Sequence, residues 1–188
     1  MCGGKEWNAA VERLFGERCA LVLTGPRGHA DWLQDVLAVL AREVGDPRGW
    51  TQIDRDVKRS PERVADNRIF PFSENLFTHM SKFLFEIGRE SAAQLLVTLT
   101  DDWYSVRGIP DFEERRDELL ADARTLLARY GPDSVFRTPA PVARTDKNPD
   151  FFGVKASAGG RFTDYVADLG LIAVSDAEVG VFWTFNPS

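Results

Sequence analysis

Cysteine is almost missing from this sequence. Two occur in 188 residues, Cys2 and Cys19, and a pair near one terminus is no disulfide framework, so the simpler expectation is a reducing compartment. Long apolar runs are missing too, and without one of bilayer length no membrane-spanning helix is expected. The opening MCGGKEWNAAVERLF has no apolar h-region and no glycine at the second position, so neither a secretory leader nor a myristoylation signal is expected there. A soluble cytoplasmic protein is the expectation, with residues 1–4 loose. Basic charge is in deficit, with 23 Lys and Arg against 29 Asp and Glu for a net charge of −6. Phosphate binding rests on clustered Lys and Arg, so no nucleic-acid partner is expected. The basic residues around Arg55, Lys58, Arg59 and Arg63 are interleaved with Asp54, Asp56 and Glu62.

Catalytic motifs are missing as well. The two histidines, His29 and His79, have no H-E-x-x-H or His-Cys spacing, and no G-x-S-x-G elbow occurs. LVLTGPRG, before a helix, resembles the start of a phosphate-binding loop, but the Lys and Ser/Thr of a Walker sequence are absent and Asp31 stands among the residues that follow. A plain strand-to-helix turn is favoured.

What is present is apolar and aromatic. A hydrophobic share of 44%, with 13 Phe and 5 Trp, supplies one sizeable core. The pattern predicts a helix over Lys5 to Phe15, a doubly buried strand over Cys19 to Thr24, and a helix from about Asp31 to Val44 whose stripe runs through Leu33, Val36, Leu37, Leu40, Ala41 and Val44, with Trp32 and Val39 off it. A polar, edge-like strand is expected over Trp50 to Val57, then a short helix opened by Ser60-Pro61. Ser73 to Ile87 reads as an amphipathic helix with Phe85 off its stripe, and Ala93 to Thr100 as the most apolar strand, ending at Asp101, Asp102, Trp103 and Tyr104. Asp111 to Tyr130 is a further helix, with Asp111 and Glu114 spaced as a capping box.

Ser134 to Thr138 is a short strand, and Pro139 to Asp150 is the longest irregular loop, open to a role as a lid. Phe151 to Ser157 reads as a strand and Arg161 to Asp168 as a helix. Gly170 to Val174 and Val179 to Phe185 read as a hairpin. A faint likeness between Leu21 to Gly25 and Leu96 to Asp101, each with helix and strand behind it, raises the question of an internal repeat. The expected fold is a single α/β or α+β domain over residues 1–188, with a mixed sheet of about five to seven strands, packed helices and an antiparallel C-terminal hairpin.

Two functions compete. The first is a non-catalytic protein-binding module, of the inhibitor or immunity kind, that neutralises a partner. Its contacts would be Trp103, Tyr104, Phe85 and Trp32, since aromatics dominate binding hot spots. The second is a metal-assisted hydrolase or phosphoryl-transfer enzyme. Asp101 and Asp102 would hold magnesium or manganese, with Asp54 or Asp56 as a third ligand. The bland reading of Asp101-Asp102 is a polar loop in which one carboxylate makes an Asx-turn. No cofactor is expected under the first function. Small-ligand binding under the Pro139 to Asp150 loop is a third, lesser possibility.

Overall fold

The computed structural model describes residues 4–44, 53–54, 61–73, 80–154, 156, 162–163 and 165–186. Its two longest strands, β5 (Ala167–Val174) and β6 (Glu178–Asn186), form the expected hairpin. Ser175 fastens its turn: the hydroxyl accepts from the Ala177 and Glu178 amides and donates to the Glu178 carbonyl. Around the hairpin stand β1 (Ala20–Pro26), β2 (Ile53–Asp54), β3 (Phe85–Ile87) and β4 (Val135–Thr138). The six-stranded order is β2-β1-β6-β5-β4-β3.

Among the described residues every strand pairing is antiparallel, in place of the expected mixed sheet. Parallel neighbours require crossover connections; here the apolar segment Ala93 to Thr100, read as a strand, is helical. The α-helices among the described residues are α1 (Gly4–Phe15), α2 (Trp32–Leu40), α3 (Pro61–Asp66), α4 (Arg89–Thr98) and α5 (Phe112–Ala128). Together they make an α+β domain.

Both hairpin strands are buried at every position, which requires cover on both faces. Ala20, Val22, Leu169, Leu171, Ala173 and Phe182 face α1, α4 and α5. Leu21, Leu23, Ile172, Val181, Trp183 and Phe185 face α2 together with Phe72 and Phe162. Each such aliphatic or Phe side chain contributes about 1.5–3 kcal/mol of burial. Gly170 is required: a Cβ there would lie 2.2 Å from the Trp183 ring, which crosses the strand at that point.

Several expectations change. Apart from Arg89, Glu90 and Gln94, α4 is covered, with Ala92, Ala93, Leu95, Leu96, Val97 and Thr98 all buried. From Leu95 to Thr100 every residue is buried, which leaves that stretch no 3.6-residue period to separate it from a strand. The Thr98 hydroxyl donates back to the Gln94 and Leu95 carbonyls and that of Thr100 to Val97. Because the Leu96 to Asp101 segment is helical where Leu21 to Gly25 is strand, the likeness between them is no structural repeat.

Of the helix expected over Ser73 to Ile87, residues 74–79 lie outside the described set. Met80–Phe83 is a 3-10 turn, and Phe85 to Ile87 pairs with Phe136 to Thr138 as an edge strand. Phe151 to Val154 is a turn on the Asp150 carbonyl, and residues 155 and 157 lie outside the described set. Asp168, expected at a helix end, stands inside β5, while Thr163 bridges to Phe72. Asp111 has φ 52 and caps nothing with its side chain, because a capping box needs extended backbone at that residue. α2 ends at Leu40 and buries Val39, with Leu33, Leu37 and Ala41 only partly covered, so its inward face is rotated from the expected stripe. Between β4 and β5, a 3-10 turn at Pro141–Arg144 buries Ala143, and the Lys147 carbonyl accepts from the Gly88 amide at 2.7 Å.

Candidate functional site

The segment between α4 and α5 is built on one carboxylate. The Asp101 amide still bonds to the Thr98 carbonyl, and its Oδ2 then accepts from the amides of Trp103 and Ser105, both at 3.0 Å. This is the Asx-turn. Gly108 lies against the same carboxylate, where a Cβ would sit 1.9 Å from Oδ1. Tyr104 takes a left-handed backbone, φ 57, a conformation that costs a non-glycine residue about 1–3 kcal/mol. It is held there because its ring is buried and its hydroxyl donates to the Thr184 carbonyl at 3.2 Å. Burial, with Asp168 nearby, raises the Tyr104 phenol above its ordinary value.

With Tyr104 turned inward, Trp103 is turned out, and the residue is 54% exposed. Asp102 ties the loop to the sheet, its carbonyl accepting from Asn186 Nδ2 at 3.3 Å and its carboxylate meeting Arg18 Nη1 at 3.4 Å. Beneath lies Asp168, fully buried, accepting from the Phe162 and Thr163 amides, the Thr163 hydroxyl and the Trp183 indole. Burial outweighs these donors and raises its carboxyl to about 6.

The four aromatics expected to act together are dispersed. Trp103 is exposed, Tyr104 is core, and Phe85 packs half-buried on the α1, α4 and α5 side. Trp32 packs half-buried on the opposite face, with the Arg137 guanidinium 5.3 Å from its ring centre. The aspartates proposed as metal ligands are engaged elsewhere: Asp101 holds loop amides and Asp102 meets Arg18. Asp54 is on β2 opposite Leu21, and Asp56 lies outside the described residues, as do His79 and Cys2. Among the described residues no three His, Cys, Asp or Glu are grouped to hold a metal.

After β1, Asp35 does the opposite of Asp101. It is buried and accepts from the Gly28 and His29 amides at 2.8 and 3.0 Å, from Arg27 Nε at 2.6 Å and from the His29 ring at 2.7 Å. Burial raises its carboxyl, but these donors together outweigh burial and hold it below its ordinary value. The amides that would cradle a phosphate after LVLTGPRG are thus occupied by the protein's own carboxylate, which closes the phosphate-loop reading. Asp31 instead caps α2 through the Leu33 amide.

Sequence reasoning missed Asp35, because its partners Arg27, Gly28 and His29 converge on it only through the fold of the β1–α2 turn, and Asp168, because its segment reads as helix and its Trp183 partner stands on the neighbouring strand. The turn at Asp101 was readable from its position after an apolar run. No family model, curated protein or solved structure matches this chain. No helix among the described residues is long and apolar enough to cross a membrane.

Proposed function

We propose that the chain is a non-catalytic, cytoplasmic protein-binding module, of the inhibitor or immunity kind, that engages its partner through the loop carrying Trp103. One observation carries this: an exposed indole is displayed on a loop fixed by the Asp101 carboxylate on one side and the buried Tyr104 on the other. A large aromatic already held in place loses little freedom on association, and Trp is enriched among residues that dominate binding energy. The strained Tyr104 backbone supports the same reading, since retained strain concentrates at functional sites.

The test compares two equally exposed rings. Trp103 and Phe83 are each 54% exposed, and only Trp103 is displayed by a bonded loop of this kind. With a partner identified by cross-linking from position 103 in the native host, Trp103→Ala is expected to weaken association about 30-fold or more, a hot-spot loss, and Phe83→Ala to leave it within about twofold. Equal effects, or none, would remove the proposal. The inhibitor reading has its own measurement: the partner's activity must fall when the chain is added at one equivalent.

A further inference from the structure

The loop that displays Trp103 also walls a cavity of about 220 Å³, to which Thr100 contributes from one end and Ile109 from the other. The remaining wall comes from α1, the turn after it and α5, which bring Arg13, Arg18, Arg115 and Glu17 to the same space over an apolar floor that includes Leu14. These elements meet only in the folded chain.

The three arginines are not equivalent. Arg13 is fixed by a two-pronged contact with the nearly buried Asp122, through Nε at 2.7 Å and Nη2. Arg18 makes one long contact, 3.4 Å, with an Asp102 carboxylate that is 61% exposed. Arg115 has no ion pair among the described residues. Each guanidinium carries five donors, so the cavity holds more N–H groups than its own carboxylates accept. It does not hold excess positive charge, because Asp122 and Glu118 act on Arg13, Asp102 meets Arg18, and Glu17 lines the same wall. A phosphate dianion needs surplus positive charge that the cavity lacks, whereas a carboxylate carries a single charge, matches planar guanidinium donors and can replace the Asp102 carboxylate at the long Arg18 contact.

We propose that this cavity receives the carboxylate of an Asp or Glu side chain on the partner protein, next to the contact made by Trp103. The inference rests on the protein-binding reading and names the chemistry of the partner: an acidic residue beside an apolar or aromatic surface that accepts the indole. An overall acidic chain thereby presents a local surface for an acidic group, set by donor geometry and not by net charge.

The probe is N-acetylglutamate amide, with N-acetylglutamine amide as its neutral twin, titrated to tens of millimolar into the full chain and read in 1H–15N spectra. The expected result is saturable movement of the Thr100 and Ile109 amides and of the Arg115 Nε–H with the acid only. Arg115→Gln is expected to weaken binding at least fivefold. Arg115 is exposed, so this variant should unfold at the wild-type temperature, and Arg18→Gln provides a second variant. Identical responses to the two probes, or unchanged affinity in both variants, would overturn the carboxylate site. With the partner in hand, association that needs Trp103 but ignores Arg115 and Arg18 overturns this inference alone. Association indifferent to Trp103 overturns the protein-binding reading beneath it.

Discussion

In the β1–α2 loop the organising carboxylate, Asp35, is buried and draws the backbone amides of Gly28 and His29 inward around it. In the α4–α5 loop the organising carboxylate, Asp101, sits nearer the surface and bonds the amides of Trp103 and Ser105, and the ring that is buried is that of Tyr104. Both loops follow an apolar element and both are held by one aspartate accepting from two amides. The first presents polar groups already satisfied from within, and the second presents an aromatic residue that is half exposed. The difference teaches that loop rigidity and loop function are separable: the same device either closes a surface or displays one.

The largest expected effect comes from breaking the closed loop. Asp35→Ala leaves Arg27 and two amides without their acceptor, and it should cost about 3 kcal/mol in denaturant unfolding, with no effect on partner association beyond that of lower stability. Asp101→Ala should cost less, about 1–2 kcal/mol, because the amides it frees can reach water. It should weaken association nearly as much as Trp103→Ala does, since the indole loses its fixed position. Loss of stability without loss of association in Asp101→Ala would show that the turn only supports the fold.

Acidity separates the carboxylates by sign. Asp168 keeps its proton to about pH 6 in the folded chain, against an ordinary value of 3.8, so its contribution to stability is fully present below about pH 3.8 and is lost as pH rises through about 6. Between pH 5 and 8 that loss is on the order of 1 kcal/mol. Asp35, held below its ordinary value, contributes stability above that value and loses it as pH falls further. Urea unfolding from pH 5 to 8 should therefore slope downward, and Asp168→Asn should flatten the slope. The smallest stability effect belongs to Trp103→Ala, within about 0.5 kcal/mol of the parent, as for other exposed substitutions. A larger change would mean that the indole packs against the fold.

How much of this was readable beforehand follows from periodicity. α1, α5, β1 and the β5–β6 hairpin carry a clear period or an unbroken apolar run of strand length, and each was legible. α4 was not, because its run from Leu95 to Thr100 is buried at every position and shows no period, and Phe85 to Ile87 was absorbed into a helical stripe although it alternates as a strand. At the site, Trp103 was legible as a large aromatic after a double aspartate. Tyr104 beside it was not separable from Trp103, since the left-handed backbone that sends one ring in and the other out depends on Thr184, far along the chain. The cavity was invisible for the same reason: Arg13, Arg18 and Arg115 are ordinary surface charges until α1 and α5 are packed together.

The pairing of β1 with β6 has a consequence for how the chain acquires its structure. Residues 20–26 pair with residues 178–184 in the middle of the sheet, so during synthesis β1 waits for β6, far along the chain, before that edge is closed. Contacts this distant in sequence slow folding and leave apolar strand edges open in the interval. Neither half of the chain can complete the sheet alone. Splitting it into two fragments should yield pieces that recover the fold only when mixed, and nascent chains stopped before residue 178 should depend on chaperones.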